Sequence, residues 1–588
     1  KRARPLEPIL TGVDGGLIAS YLTEQVLSAL GKETQELLLT VAFLERFNPE
    51  LTNYVMDSSD AWSRIDSLAS FAALIVPLDS KGGWYRLHHL FAEYLREMQM
   101  RRNQLRAKEI LSRASEWYSE RKQVVEAVRY AAMAEDYSEC ERLILEAGGW
   151  KIILHEGISV LRNALRLLPD DVIAKSARLM IARAYLHCKY GEIPEARAML
   201  DASAQAVKPD DRELADTDRL VVESTINLYE DRLKWSDEYK RIRKYYNEEE
   251  YLDPLGQGTM RCEEVLIHMS RAEFEQAGLC VRDAFAKMRQ SGSVLGLNYC
   301  YIHAAHIALY RGDLTTAAAN VERAIKMADE NFGSDSGLKA VASVLDYSLR
   351  TWRGECAADD LEPFKTVLFH TIDNDGWAEI YITGLNALIM LAQQCGDHQA
   401  PFDTFAKIRI FAEHRGLYRL ERFCSFQELA HVTREREFLR HTKATTAGAL
   451  RFADAYNFDH DPRNWQSYLL ASTIPDVSES EQEKTQRLAD AIALAEKVRA
   501  GLWQFSLKTT NIMRMSGNGH NDVAKQELLA LLKAAIPSRL MGPFLSEESI
   551  VRLIGEIRSE LRQNEEELIT LQFIDGILER ARVLRPSK

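Results

Sequence analysis

The chain lacks most features that announce a metalloprotein, a membrane protein or a nucleic-acid binder. Its eight cysteines, at 140, 188, 262, 280, 300, 356, 395 and 424, include no C-x-x-C pair and no Cys/His array at zinc spacing. They read as reduced, mostly buried thiols rather than as a disulfide framework. No apolar run approaches the roughly 20 residues needed to cross a bilayer, so no membrane contact is expected and the chain reads as cytoplasmic. Positive charge is short as well: 74 Lys and Arg stand against 87 Asp and Glu, a net charge of −13. An acidic chain does not hold nucleic acid through a broad basic face, because phosphate neutralisation supplies most of that affinity. A phosphate-binding loop, G-x-x-x-x-G-K-[ST], is missing too. The nearest approach, "LGKET" at 30–34, lacks the first glycine and the hydroxyl after Lys32. The opening "KRARPLEPILTG" has no apolar signal-peptide core and reads as a linker over residues 1–16.

What is present is helix. With 588 residues, 46% hydrophobic and 27% charged, the chain is long enough for several domains and ample core. Apolar residues at three-to-four spacing predict helices in "LIASYLTEQVLSAL" (17–30), "KETQELLLTVAFLERF", "PELTNYVM" and "AWSRIDSLASF". The next stretch differs in kind. "ALIVPLD", the turn "SKGG" and the alternating "WYRLHH" predict a β-hairpin within 73–89, with "LFAEYLREMQ" starting another helix. Helices, one small hairpin and a closing helix describe a winged-helix domain, placed at 17–100. His88 and His89 fall at its strand-to-helix junction. Adjacent histidines diverge on either strand or helix, so a shared metal is disfavoured, and no carboxylate or nucleophile can be tied to His88 for acid-base work. Two polar residues satisfied at a junction is the plain alternative.

Internal repetition governs the rest. Small or apolar residues follow Gly312 at offsets five, nine and twelve (Ala317, Val321, Ala324). The same offsets recur after Gly191 (Ala196, Leu200, Ser203), Ala272 (Ala277, Val281, Ala284), Gly396 (Pro401, Phe405, Ile408) and Gly519 (Ala524, Leu528, Leu531). The anchors are 81, 40, 84 and 123 residues apart, close to multiples of 41. This register predicts helix-turn-helix units like tetratricopeptide repeats but with longer helices, since those repeats run to about 34 residues. The fold class expected is therefore mainly all-α: the winged helix, a helical arm over 101–170, a TPR-like superhelix over 171–545, and a charged helical tail or linker over 546–588.

A superhelix of this kind presents a concave inner wall for a ligand. The aromatic residues at the centre of the array are its candidate lining: Tyr347, Trp352, Trp377, Tyr381, Trp465 and Tyr468. Their faces suit the apolar faces of sugars or other ring compounds, and packing between repeats is their alternative role. "EDRLKWSDEYKRIRKYYNEEE" (230–250) mixes both charge signs and reads as a solvated helix face.

"LERFNPEL", "LIVPLD" and above all "WYRLHHLFAEYLR" resemble the winged-helix segment of the MalT-like, large ATP-dependent LuxR-family transcriptional regulators, which are STAND-type signal-transduction ATPases. The resemblance continues through "ILSRASEWYSERKQVVEAVRYAAMAEDYSECERLILEAG" and "VLRNALRLLPDDVIAKSARLMIARAY", covering about residues 17–200, and beyond that is one of architecture. It implies a non-catalytic regulatory portion whose repeats bind a small-molecule inducer, a sugar or another metabolite, or a regulatory protein. It further implies an intact protein that uses ATP and ADP, self-associates, and touches DNA only through a helix-turn-helix domain outside this chain. In the wider class a winged-helix histidine contacts the bound ADP; here that role falls on His88, with His89 standing where the class has Asp. The alternative is a repeat scaffold for protein partners with no small-molecule ligand.

Overall fold

The computed structural model describes residues 27–28, 30–61, 63–64, 75–78, 83–236, 240, 243–244, 253–333, 336–374, 376–434, 461–474, 479–561 and 567–585. The helix expected over 17–30 and the charged stretch over 230–250 lie largely outside them. The chain divides into two compact units, one of residues 1–183 and 202–211, the other of 184–201 and 212–588. Among the described residues each is helical apart from a single hairpin in the first.

In the first unit, helices Lys32–Val41 and Pro49–Met56 precede β1 (Ile75–Pro77) and β2 (Tyr85–Leu87), which pair antiparallel with Ile75 opposite Leu87. Asn48 starts the second helix, its side chain accepting from the Leu51 N–H at 2.7 Å, and Pro49 at the first turn needs no hydrogen-bond acceptor. Phe47 adds a bridge to Tyr85, two backbone bonds of 2.8 Å that widen the hairpin. Helix His89–Arg102 then closes the winged helix, and Gln104–Glu120 and Val124–Met133 continue into the arm. Arm and wing meet through aromatic side chains. Trp84 lies edge-on to Trp117 at 6.4 Å, with the Arg46 guanidinium 4.8 Å from one ring and that of Arg121 3.8 Å from the other. Cation–π pairs of this kind contribute about 0.5–1 kcal/mol at exposed sites and more when desolvated.

The second unit is a succession of antiparallel helix pairs, and the predicted register is visible in it. Pro254–Ser270 packs on Phe274–Ser291, and Val294–Tyr310 on Leu314–Asn331, helices of 17 and 18 residues that account for the long repeat. Ala277, Val281 and Ala284, and likewise Ala317, Val321 and Ala324, are buried against the partner helix, as are Pro401, Phe405 and Ile408, and Ala524, Leu528 and Leu531. Gly312 and Gly396 turn the chain in the left-handed region, φ 78° and 69°. Residues after 545, read as a charged helical tail or linker, are helical where described. Glu548–Leu561 and Leu568–Leu584 form a further helix pair that buries Ile550, Ile554, Ile557, Ile574 and Ile577, because their apolar stripes need a partner.

One turn shows how closely the pairs approach. A Cβ on Gly501, the first residue of helix Gly501–Gly517, would lie 2.2 Å from the Arg311 carbonyl oxygen. Gly501→Ala should therefore destabilise the unit by about 1–3 kcal/mol, whereas Gly278→Ala, in a helix interior with open space around it, should stabilise it by about 0.5–1 kcal/mol. Denaturant unfolding of the two variants checks both signs.

Candidate functional site

The repeat unit contains an open pocket of about 650 Å³, including the solvent at its mouth. Five elements wall it: Ala378–Cys395 (through Asn386, Met390 and Gln393), Tyr418–Arg434 (Gln427), Trp465–Ala471 and the turn after it (Leu470, Thr473), Gly501–Gly517 (Trp503, Thr510, Met513) and Gly542–Leu545 with the residues following (Pro543, Glu547).

Three of the five are fixed away from the pocket, near their first residues. Glu379 and Arg419 are each the second residue of their helix, and Asp231 ends the turn after Arg212–Tyr229 in the left-handed region, φ 57°. The Arg419 guanidinium bridges the two carboxylates: Nε lies 2.8 Å from Asp231 Oδ2, and Nη2 lies 2.6 Å from Glu379 Oε1 and also bonds Asp231 Oδ1. All three side chains are less than 10% exposed. Both neighbouring carboxylates hold the Arg419 pKa above its ordinary value despite burial. Arg463, just ahead of the Trp465 helix, donates to the Asp231 carbonyl at 3.1 Å and ties the third helix to the same point. The remaining two elements are seated by backbone contact. Gly501 lies on Arg311, and a Cβ on Gly542 would come within 2.8 Å of the Thr351 carbonyl oxygen.

A ridge of rings runs behind the pocket. Trp377 lies 5.4 Å from His303, His306 4.6 Å from Tyr310, Tyr310 5.5 Å from Trp465, and Trp465 6.5 Å from Trp503. Thr383 Oγ1 sits 2.8 Å from both His306 Nε2 and Tyr310 Oη, and Gln466 donates to that phenol at 3.0 Å. Burial lowers the His306 pKa to about 3, so its imidazole is neutral.

None of the six aromatic residues singled out in the sequence lines this pocket. Trp352, Trp377, Tyr381 and Trp465 are buried in packing between repeats. Tyr347 is half-buried and stacked on Phe364 at 5.0 Å, and Tyr468 is half-buried. Trp465 stands one ring behind the wall, and the Trp352 carbonyl accepts from Met541 N–H at 3.0 Å beside Gly542. The aromatic residue that does face the pocket, Trp503, was missed. Its signal was the helix-turn-helix register, since it lies on the first helix of the unit turned by Gly519. In the first unit, His88 caps helix His89–Arg102 through its carbonyl, which accepts from Ala92 N–H at 2.9 Å; its ring is half-buried and lies 4.5 Å from that of His89. Among the described residues no group of three or more His, Cys, Asp or Glu side chains is arranged to hold a metal ion, and no helix is long and apolar enough to cross a membrane.

Residues 23–107 match the family model of the MalT winged helix domain. The chain is MalT-like. It is 30% identical over 166 residues to the HTH-type transcriptional regulator MalT of Vibrio campbellii, which covers 28% of this chain and 18% of that protein. It is 29% identical over 188 residues to the MalT of Vibrio cholerae, 32% of this chain and 21% of that one. The matched stretch thus spans about a fifth of these regulators. Among solved structures it is similar to a STAND protein with a tetratricopeptide repeat sensor from Pyrococcus horikoshii, at 15% identity and TM-score 0.43, over 82% of this chain and 67% of that one. The MalT-like assignment therefore rests on the winged helix and the start of the arm.

Two measurements test the charge arrangement. Arg419→Met leaves two buried carboxylates unpaired and should cost about 3–5 kcal/mol, while the neutral triple Asp231→Asn, Arg419→Met, Glu379→Gln should recover most of it; denaturant midpoints compare them. Deeper in the unit, Glu263 accepts from Ser224 Oγ at 2.6 Å and Thr225 Oγ1 at 3.0 Å, and burial raises its pKa to about 8. The folded state then holds a proton that the unfolded state, with an ordinary carboxyl, releases, so this residue's contribution to stability falls as pH rises from the unfolded value towards 8. Glu263→Gln should flatten the decline in unfolding free energy between pH 5 and 8.

Proposed function

We propose that this MalT-like chain is the winged-helix and signal-sensing portion of an ATP-dependent transcription activator of the LuxR and STAND type, and that a small-molecule inducer occupies the Trp503 pocket. The observation that carries the reading is the composition of the pocket wall, whose residues run from Asn386 to Glu547. A molecule seated there touches helices from several successive repeats at once, so its binding energy acts on how those repeats pack. The inducer must favour one arrangement of the repeats over another to act as a signal, and its differential affinity sets the size of the response. In the intact protein that bias would pass to a nucleotide domain cycling between ADP-bound resting and ATP-bound self-associating states, with His88 as the winged-helix contact to nucleotide and DNA bound through a separate domain. The chain itself is proposed to be non-catalytic.

A second reading, a scaffold for protein partners, draws support from Ile410 and Tyr418, which are 68% and 71% exposed on either side of one turn. A thermal-shift screen of metabolites separates the two. An inducer should raise the melting temperature of the parent chain and not that of Thr510→Trp, which fills the pocket from a partly exposed position. Silence across the panel with the full-length protein as well, together with recovery of one stoichiometric protein partner, would remove the small-molecule reading.

A further inference from the structure

The polar groups of the pocket are unequally available. Four of its five hydroxyls are already committed to carbonyls of their own helix or turn: Thr473 to Leu470 O at 2.7 Å, Thr509 to Phe505 O at 2.8 Å, Thr510 to Ser506 O at 3.0 Å and Ser546 to Gly542 O at 3.0 Å. A polyol would therefore have to take its donors from the amides of Asn386, Gln393 and Gln427 rather than from these hydroxyls. Charge is nearly absent as well, since Glu547 is the one ionisable side chain in the wall.

The amides behave differently. Gln427 Nε2 donates to Asn386 Oδ1 at 2.7 Å, both residues line the pocket, and neither makes another side-chain hydrogen bond among the described residues. A primary amide carries an oxygen with two lone pairs and an NH₂ with two N–H donors, so after the one bond between them the pair still offers both N–H groups of Asn386 beside the unused oxygen of Gln427, with one N–H of Gln427 and one lone pair of Asn386 Oδ1 left over. Exchanging the orientation of both amides swaps the two roles and preserves the set. Gln427 is only 5% exposed, so its side chain is held within the wall, and a ligand that covers its oxygen without donating to it would displace solvent there and leave the acceptor unmet. The rest of the wall is flat and polarisable: the Trp503 indole, the Met390 and Met513 thioethers, Ile389 and Leu470. Such surfaces suit the face of an unsaturated ring.

We infer that the pocket recognises an uncharged, planar heterocycle with an adjacent N–H donor and carbonyl acceptor, the lactam or imide edge found on nucleobase-type rings. The edge would meet the Asn386–Gln427 pair while the ring face lies against Trp503 and the methionines. This rests on the pocket being the inducer site, and it adds the class of compound that site takes.

The test is calorimetric titration of the full chain with uracil, hypoxanthine, 1,3-dimethyluracil and glucose. Uracil or hypoxanthine should bind, and dimethyluracil, which keeps the ring but has lost its N–H donors, should bind at least tenfold more weakly. Asn386→Asp keeps the shape and the acceptor for Gln427 but removes the donor, and should weaken heterocycle binding at least tenfold; Asn386→Leu serves if the carboxylate perturbs folding. Glucose binding that is indifferent to Asn386 and abolished by Thr510→Trp would overturn the heterocycle and leave the sensing pocket standing. Heterocycle binding that survives Thr510→Trp would place the site elsewhere and overturn both. No binding of either heterocycle at millimolar concentration would overturn the class proposed.

Discussion

The arrangement of the pocket in the repeat unit depends on one desolvated guanidinium. Arg419 holds Asp231 and Glu379 together across 188 and 40 residues of chain. Taking three charges out of water is costly, and the cost is recovered only because the fork geometry of arginine meets both carboxylates at hydrogen-bonding distance. Lysine, a point charge on a flexible stem, could not occupy both at once. The arrangement brings the starts of two helices, and through Arg463 a third, to one point. Their pocket residues lie seven or more positions further along, roughly 10 Å or more at the helical rise.

A different constraint seats the other two walls. Gly501 and Gly542 bring helix starts directly onto the backbone of residues 311 and 351, a separation that no side chain would tolerate. Charge fixes three walls and the absence of a Cβ fixes two. Both devices act at helix beginnings; the ion cluster stands well back from the pocket residues of its three helices, whereas Gly501 and Gly542 stand beside the pocket residues Trp503 and Pro543. This explains why the wall needs almost no charge of its own, and why its threonines and serines can fold back onto helix carbonyls without leaving a gap in the structure's support.

How much of this was legible in the sequence depends on the range of the interaction. The hairpin, its flanking helices and the repeat register are local: offsets five, nine and twelve after a turn residue decide which face of one helix meets its neighbour, and those positions are buried as expected. The six aromatic candidates do not line this pocket, and their burial is decided at long range. Trp465 packs on Phe274 and Tyr310, 191 and 155 positions earlier, and nothing in "RNWQSY" foretells that. Asp231 and Arg419 are invisible for the same reason. The tail after 545 is helical, as its pattern predicts, while the packing of its Ile550, Ile554 and Ile557 stripe is a tertiary matter that its charge-dominated composition does not disclose.

The same separation of ranges bears on how a signal could be carried. Interactions within one helix pair are numerous and leave it rigid, so a ligand cannot easily deform a single repeat. Between repeats, among the described residues, helix packing is joined by long-range contacts that include the Arg419 ion cluster, the glycine approaches at 501 and 542, and the ring ridge from Trp377 to Trp503. A ligand against Trp503 would touch that ridge and, through Asn386 and Gln427, positions well along two helices whose starts are held. Its favourable contacts are therefore spent on the angles between repeats. Because these contacts join segments as far apart as the 188 positions between Asp231 and Arg419, a change in those angles would be felt by several repeats at once rather than by one neighbour.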